Sequence, residues 1–215
     1  WRSSWPSPFW DYCFEVWGYE AADTTAAQYA SANLDTYNGL RETAAQTLLA
    51  QSFVATFNGD MTKVQLYLAK FGSPTGNIWA EIHQSQEGTS GSKNSSTYQV
   101  GQATDNLDVS TLDAFPTFAV KTLTFSGTKP TLVKGAVYYI VVYGDFSVSS
   151  TSFVKVGMDK DSPETSGCLY EVNCSFAWTQ RPGGSLVYYI WRAAGDIAGV
   201  YSYVVAYVRG GNYPA

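Results

Sequence analysis

The stretch TKVQLYLAKF, from Thr62 to Phe71, alternates without a break. Val64, Leu66 and Leu68 take one side of an extended chain, and Gln65, Tyr67 and Ala69 take the other. The same period of two recurs in TLLAQSFVATF (47–57) and in NIWAEIHQ (77–84), where Ile78, Ala80 and Ile82 form the inner side. In GAVYYIVVYG (135–144) apolar residues occupy both sides, which places that strand in the middle of a sheet. STYQVGQA, FAVKTLTFS, TSFVKVGMD, CLYEVNCSFAWTQ, SLVYYIWRAA and GVYSYVVAYVRG continue the series. Strands recurring about every ten residues, with turn residues between them and no alternation with helices, predict an all-β chain folded as an antiparallel β-sandwich. A length of 215 residues suits one such sandwich with a core of its own.

Regular alternation begins near Arg41, so residues 41–215 are assigned to the sandwich and residues 1–40 to an N-terminal extension. Within that extension EAADTTAAQYASANLDT (20–36) is small and polar, and its alanines suggest a short helix. Residues 1–20 carry Trp1, Trp5, Trp10 and Trp17, four of the chain's 7 tryptophans, in a segment interrupted by proline. Four indoles so close together need cover. The arm either packs along the edge of its own domain or docks on a neighbouring subunit as an assembly arm.

Charge narrows the partners. The net charge is −5 and no cluster of Lys and Arg occurs, whereas a nucleic-acid surface needs a basic stripe. No run of 18 apolar residues suggests a membrane span. The sequence opens on Trp1 without the charged and apolar regions of a signal peptide, as expected of a processed product or part of a longer protein. Cys168 and Cys174 enclose five residues, close enough to bridge a hairpin or loop. Such a disulfide would stabilise by about 2 kcal/mol at most and would imply an oxidising compartment. Cys13 is then left over as a buried thiol.

Chemistry-bearing patterns are few. The only histidine, His83, shares one side of its strand with Trp79 and Glu81, and alternation points all three outward. A Ser-His-Asp site needs that histidine beside a nucleophile, and no Gly-x-Ser-x-Gly elbow occurs, so His83 is expected to be a solvated surface residue. With one histidine and no Cys-x-x-Cys, a zinc site lacks ligands. The acidic residues show no spacing that would pair two carboxylates across a cleft. The chain is therefore expected not to be an enzyme and to need no cofactor, with structural calcium as the one candidate. Asp159 and Asp161 in MDKDSPE, and Asp105, Asn106 and Asp108 in TDNLD, are the oxygen-rich segments that suggest calcium, though neither follows the EF-hand pattern. Outward aromatic residues offer a ligand surface instead: Tyr67, Trp79 and His83, with Glu81, on strands taken as neighbours, and Tyr201, Tyr203 and Tyr207 on the last strand. Rings in such rows stack on the C–H faces of sugars, and equally well bury against a second subunit.

A resemblance enters at AQSFVATFNGDMTKVQLYLAKFGSPTGNIWAEIHQ. Gln51, Ser52 and Phe53, and then Lys70, Gly72, Ser73, Pro74, Thr75, Gly76 and Asn77, resemble the pattern of the choice-of-anchor type β-sandwich domains of bacterial and phage surface proteins. LDVSTL (107–112) and TFSGTKPTLVKGAVYYIVV (124–142) follow in the family's order. The likeness covers about residues 41–160 and leaves out the Trp-rich arm and the region of Cys168 and Cys174. It implies a jelly-roll-like sandwich, akin to carbohydrate-binding modules, on a cell surface, a secreted protein or a virion, and it brings no shared catalytic set. The expectation is thus a non-enzymatic structural protein of an extracellular or virion surface, such as a capsid decoration, fibre or sheath. Its partners would be copies of itself or other surface proteins, without nucleic acid. The alternative is a carbohydrate-binding or adhesion module.

Overall fold

The computed structural model describes residues 24–29, 34–84, 99–160, 169–172, 178–181 and 185–192. The alternating stretch that opened the sequence reading is the longest strand, Gly59–Phe71, and one of two sheets is built around it. In chain order this sheet contains β1 (Thr24–Tyr29), β2 (Thr36–Leu40), β4 (Gly59–Phe71) and β8 (Ala119–Thr124). β9 (Thr131–Leu132), β11 (Phe153–Asp159), β14 (Ser185–Leu186) and β15 (Tyr188–Arg192) complete it. Its path runs β1-β15-β4-β11-β14, with β8 and β9 also paired to β4 and β2 paired to β11.

The second sheet follows the path β13-β12-β3-β10-β5-β6, with β7 also on β5. Its strands are β3 (Leu48–Val54), β5 (Asn77–Gln84), β6 (Gln99–Val100) and β7 (Leu107–Asp108). β10 (Val137–Gly144), β12 (Leu169–Val172) and β13 (Trp178–Arg181) follow. β10 lies between β3 and β5, the central place that its two apolar sides require. The named strand pairs are all antiparallel, and the two sheets form the β-sandwich that the sequence predicts. Among the described residues no helix is long and apolar enough to cross a membrane.

The alternation sorts residues as expected. Val64, Leu66 and Leu68 of β4, Ile78, Ala80 and Ile82 of β5, and Val154 and Val156 of β11 are fully buried in one core with Phe53, Ile140 and Ile190. Each large aliphatic side chain buried there contributes about 2 kcal/mol. Gln51 also points into this core, because it sits two residues from both Leu49 and Phe53 on β3. Its amide is satisfied across the sandwich: the Leu186 N–H donates to Oε1 at 2.8 Å, and Nε2 donates to the Ser52 carbonyl at 3.0 Å. Gln51 thus ties β3 of one sheet to β14 of the other.

Two expectations are corrected. The alanine-containing segment holds β1 rather than a helix, and β2 follows it at Thr36–Leu40. A run this short cannot offset the cost of helix nucleation, whereas pairing with β15 supplies an edge ladder broken only by a bulge between Thr25 and Ala27. The sandwich accordingly takes in Thr24–Tyr29 and Thr36–Leu40, so it begins before residue 41 and the extension is shorter than 1–40.

The second correction concerns the strands carrying Tyr67 and Trp79, taken above as neighbours: β4 and β5 belong to different sheets, and the GSPTGN turn (72–77) carries the chain from one to the other. Gly72 and Gly76 adopt φ of 69° and 134°, which a side chain would oppose. Asp145, just past β10, locks the turn by accepting hydrogen bonds from the Asn77 backbone N–H and from Asn77 Nδ2.

Candidate functional site

Once the inner faces are filled, function must be sought on the two outer faces. On the second sheet, register aligns three strands row by row. Ser52, Tyr139 and His83 form one row, Ala50, Val141 and Glu81 the next, and Tyr143 stands opposite Trp79. The Trp79 and Tyr143 rings stack with centroids 5.6 Å apart and planes 6° from parallel. Glu81 is the hub of this face. Its carboxylate accepts from Trp79 Nε1 at 3.4 Å and from His83 Nε2 at 2.9 Å. Burial, followed by the charge and hydrogen bond of Glu81, pushes the Tyr143 phenol well above the ordinary tyrosine range.

His83 is therefore not the solvated residue expected from alternation. It is 2% exposed, and Tyr139 and Val141 beside it are also buried. Ala50, Tyr139 and Val141 form a second small cluster, with Tyr143 packed against it, on the side of the sheet away from the main core. Of the two hydroxyls in His83's row, the Tyr139 phenol is on the neighbouring strand, and the aliphatic one, on Ser52, lies two strands away with Tyr139 between. Two strand spacings amount to about 10 Å, too far for a nucleophile to give its proton to the imidazole. The arrangement holds rings in place and closes the surface.

The outer face of the β4 sheet carries a different constellation. On β11, alternation turns Val154 and Val156 inward and Phe153 and Lys155 outward. Lys155 is nevertheless only 3% exposed. Its ammonium lies 3.4 Å from the ring centroid of Tyr37, 3.8 Å from Phe115, 4.9 Å from Phe71 and 5.5 Å from Phe153. Four π-faces thus surround one cation, each a favourable contact worth about 0.5–2 kcal/mol.

Long-range pairing assembles this cage. Tyr37 is opposite Gly157, and Phe71 opposite Phe153. Phe115 is placed by a short ladder in which Lys70 N–H donates to the Asp113 carbonyl and Phe115 N–H to the Lys70 carbonyl. Two of the cage rings are part-exposed, Phe71 at 39% and Phe115 at 38%, and on the same sheet Val120, opposite Tyr67, is 42% exposed. Beside the cage opens a cleft of about 310 Å³ lined by Leu34, Asp35, Thr36, Tyr37, Phe115 and Phe118.

The residues singled out in the sequence fall as follows. Tyr67 lies on the β4 sheet opposite Val120, whereas Trp79, Glu81 and His83 lie on the other sheet, so the expected Tyr67–Trp79–His83 surface on neighbouring strands does not exist. The reason is the crossing made by the GSPTGN turn. Asp159 lies not in a loop but at the end of β11, buried and opposite Ser185, and Asp161 lies outside the described residues. Asp108 caps the turn Val109–Thr111, accepting from Ser110, whose side-chain and backbone hydrogen bonds hold the carboxyl below its ordinary range. Asp105 accepts from the Ser126 hydroxyl. Among the described residues no group of three or more His, Cys, Asp or Glu side chains could hold a metal ion.

Trp1, Trp5, Trp10 and Trp17, the cysteines Cys13, Cys168 and Cys174, and Tyr201 and Tyr203 also lie outside the described residues. The residues that sequence reasoning missed are Lys155 and its rings. A lysine between two inward valines reads as a solvated residue, and the rings around it come from three further segments. No protein-family model matches the chain, and no curated protein matches it.

Proposed function

We propose that this chain is a non-enzymatic structural protein that assembles with copies of itself on an extracellular or virion surface. The observation that carries this reading is the apolar patch on the outer face of the β4 sheet, where Phe71, Phe115 and Val120 each leave more than a third of their surface in water. Exposed apolar residues gathered on one face mark interaction sites, and aromatic residues are enriched at the centres of interfaces. Low charge and the resemblance to surface-anchored sandwiches support the same conclusion.

A carbohydrate-binding role has less to stand on. Sugars need open ring faces. On the Trp79 side His83 and Tyr139 are buried, and one face of Trp79 is taken by Tyr143.

Sedimentation velocity on the full chain tests the reading. Discrete self-association is expected, together with its loss in Phe71→Gln/Val120→Glu while the circular dichroism stays that of a β protein. A monomer at all accessible concentrations would overturn it. So would binding to a glycan array that disappears in Trp79→Ala, since that result would establish the carbohydrate reading instead.

A further inference from the structure

A buried cation is as a rule paired with an acid or hydrogen-bonded, and Lys155 is neither. Its ammonium makes no hydrogen bond or ion pair with a described residue, and what surrounds it is the four ring faces. Rings answer the charge but not the hydrogen bonding, so three N–H donors have left water without an acceptor. A quaternary ammonium carries the same charge and has no N–H to satisfy, which is why boxes of aromatic rings select it. By this chemistry the box suits a quaternary ammonium better than the primary one that fills it.

The distances bear on the same point. Methyl carbons touch a ring at about 3.5–4.0 Å, which sets the nitrogen of a quaternary group about 4.5–5 Å from the ring centre. Phe71 and Phe153 already stand at 4.9 and 5.5 Å. Tyr37 and Phe115, at 3.4 and 3.8 Å, need to withdraw by about 1 Å. Both of them border the cleft of about 310 Å³, which gives them space to shift into. Phe115 and Phe71 are also the part-exposed members of the box, so it is reached from their side. Asp35 lines the same cleft and biases the approach toward cations. Two cations cannot share one box, so a guest enters as Lys155 leaves, and its flexible stem lets it leave with β11 in place.

We infer that the box formed by Tyr37, Phe71, Phe115 and Phe153 is a binding site for a quaternary ammonium group, with Lys155 as its built-in competitor. In the free protein Lys155 occupies the box, and the guest exchanges with it. The inference does not depend on self-assembly, although Phe71 and Phe115 belong to both surfaces.

The test reads the reactivity of Lys155 in the unaltered chain, kept dilute enough to be monomeric. Sulfosuccinimidyl acetate labels accessible amines, and mass spectrometry of the digest compares Lys155 with the exposed Lys129 and Lys134. In the free protein Lys155 should lag behind both by about tenfold or more. Tetramethylammonium chloride at about ten times its dissociation constant should speed labelling of Lys155 about tenfold, because it binds only the opened box. Sodium chloride at the same concentration should not, and circular dichroism in both salts checks that the fold is retained. Choline and vesicles of phosphatidylcholine identify the source of the group: a soluble guest if choline alone acts, a lipid headgroup if the vesicles act as well. In an independent variant, Lys155→Ala, tetramethylammonium should bind the vacated box in saturation-transfer NMR, more tightly than methylammonium does. Adding Tyr37→Leu should weaken that binding about tenfold. Labelling of Lys155 as fast as Lys134 in the free protein would overturn the inference. So would labelling no faster in tetramethylammonium than in sodium, or a folded Lys155→Ala chain that does not bind tetramethylammonium. None of these outcomes bears on self-assembly, which sedimentation decides separately.

Discussion

The backbone N–H of Leu186 donates to Oε1 of Gln51 at 2.8 Å, at a point where both residues are completely buried and belong to opposite sheets. A buried amide is costly unless both of its ends are satisfied, and here they are. Replacing Gln51 with leucine keeps the volume but orphans the Leu186 donor, which costs about 1–3 kcal/mol. Urea unfolding of Gln51→Leu should show a lower midpoint with the slope unchanged. A variant as stable as the parent would mean that this N–H finds another acceptor.

Glu81 should govern the ionisation of its neighbour. The Tyr143 phenol is held in its neutral form first by burial, then by the Glu81 charge and hydrogen bond. The sign follows from linkage. A folded pKa raised above the unfolded value of about 10 favours folding fully below pH 10, and that contribution is lost as pH rises further. Ultraviolet titration should therefore find one tyrosine that ionises only when the protein unfolds in alkali. In Glu81→Gln that phenol should titrate at lower pH, because the carboxylate charge is gone. An unchanged tyrosine titration in that variant would contradict the assigned contact.

These two sites show what a sequence can and cannot disclose. Alternation placed the inner residues of β4 and β5 correctly because burial on one side of a pleated strand leaves a local mark. It could not tell whether β4 and β5 pair as a hairpin or cross between sheets, since either route puts Val64, Leu66, Leu68 and Ile78, Ala80, Ile82 in the same core. The fate of His83 was hidden for a related reason: period two tells which face a residue takes, not whether that face is open. Lys155 lay further from reach. Tyr37, Phe71 and Phe115 meet it only through the pairings of β2 and β4 with β11 and the Lys70–Phe115 ladder, and no window of sequence contains them together.

The cage predicts a charge preference at position 155. Aromatic faces attract a cation and repel an anion. Lys155→Met should fold with stability within about 2 kcal/mol of the parent, the lost cation–π contacts being offset by relief from burying an ammonium. Lys155→Glu should fail to give a cooperative thermal transition. Equal melting of the two variants would show that the rings do not enclose the side chain.

Close packing on the same face gives a steric prediction. A Cβ on Gly157 would lie 2.5 Å from Leu34 Cδ1 and 2.9 Å from Tyr67 Cβ. The leucine end can swing aside, but the Tyr67 Cβ is fixed by the backbone of β4. Gly157→Ala should cost about 1–3 kcal/mol. Adding Leu34→Ala should restore only part of it, since the tyrosine contact remains. Calorimetry of the three variants checks the order; full recovery in the double variant would assign the whole clash to Leu34.

Acid should release the lock on the sheet-crossing turn. Hydrogen bonds from the Asn77 backbone and then its side chain hold the Asp145 carboxyl below the ordinary range, with a smaller contribution from the Arg41 charge. A depressed folded pKa contributes stability that is present above the unfolded value of about 3.9 and is lost as pH falls through the folded pKa. The carboxylate is nearly all exposed, so screening limits its contribution to about 0.5–1 kcal/mol. Asp145→Asn keeps an acceptor for one of the two bonds and sets its own amide against Asn77 Nδ2. The variant should be less stable than the parent at pH 7, and the gap should narrow between pH 4 and pH 2 as the parent's carboxylate is protonated. Urea midpoints measured across that range decide the matter: a gap that stays constant with pH would show that the carboxylate's charge plays no part in holding the turn.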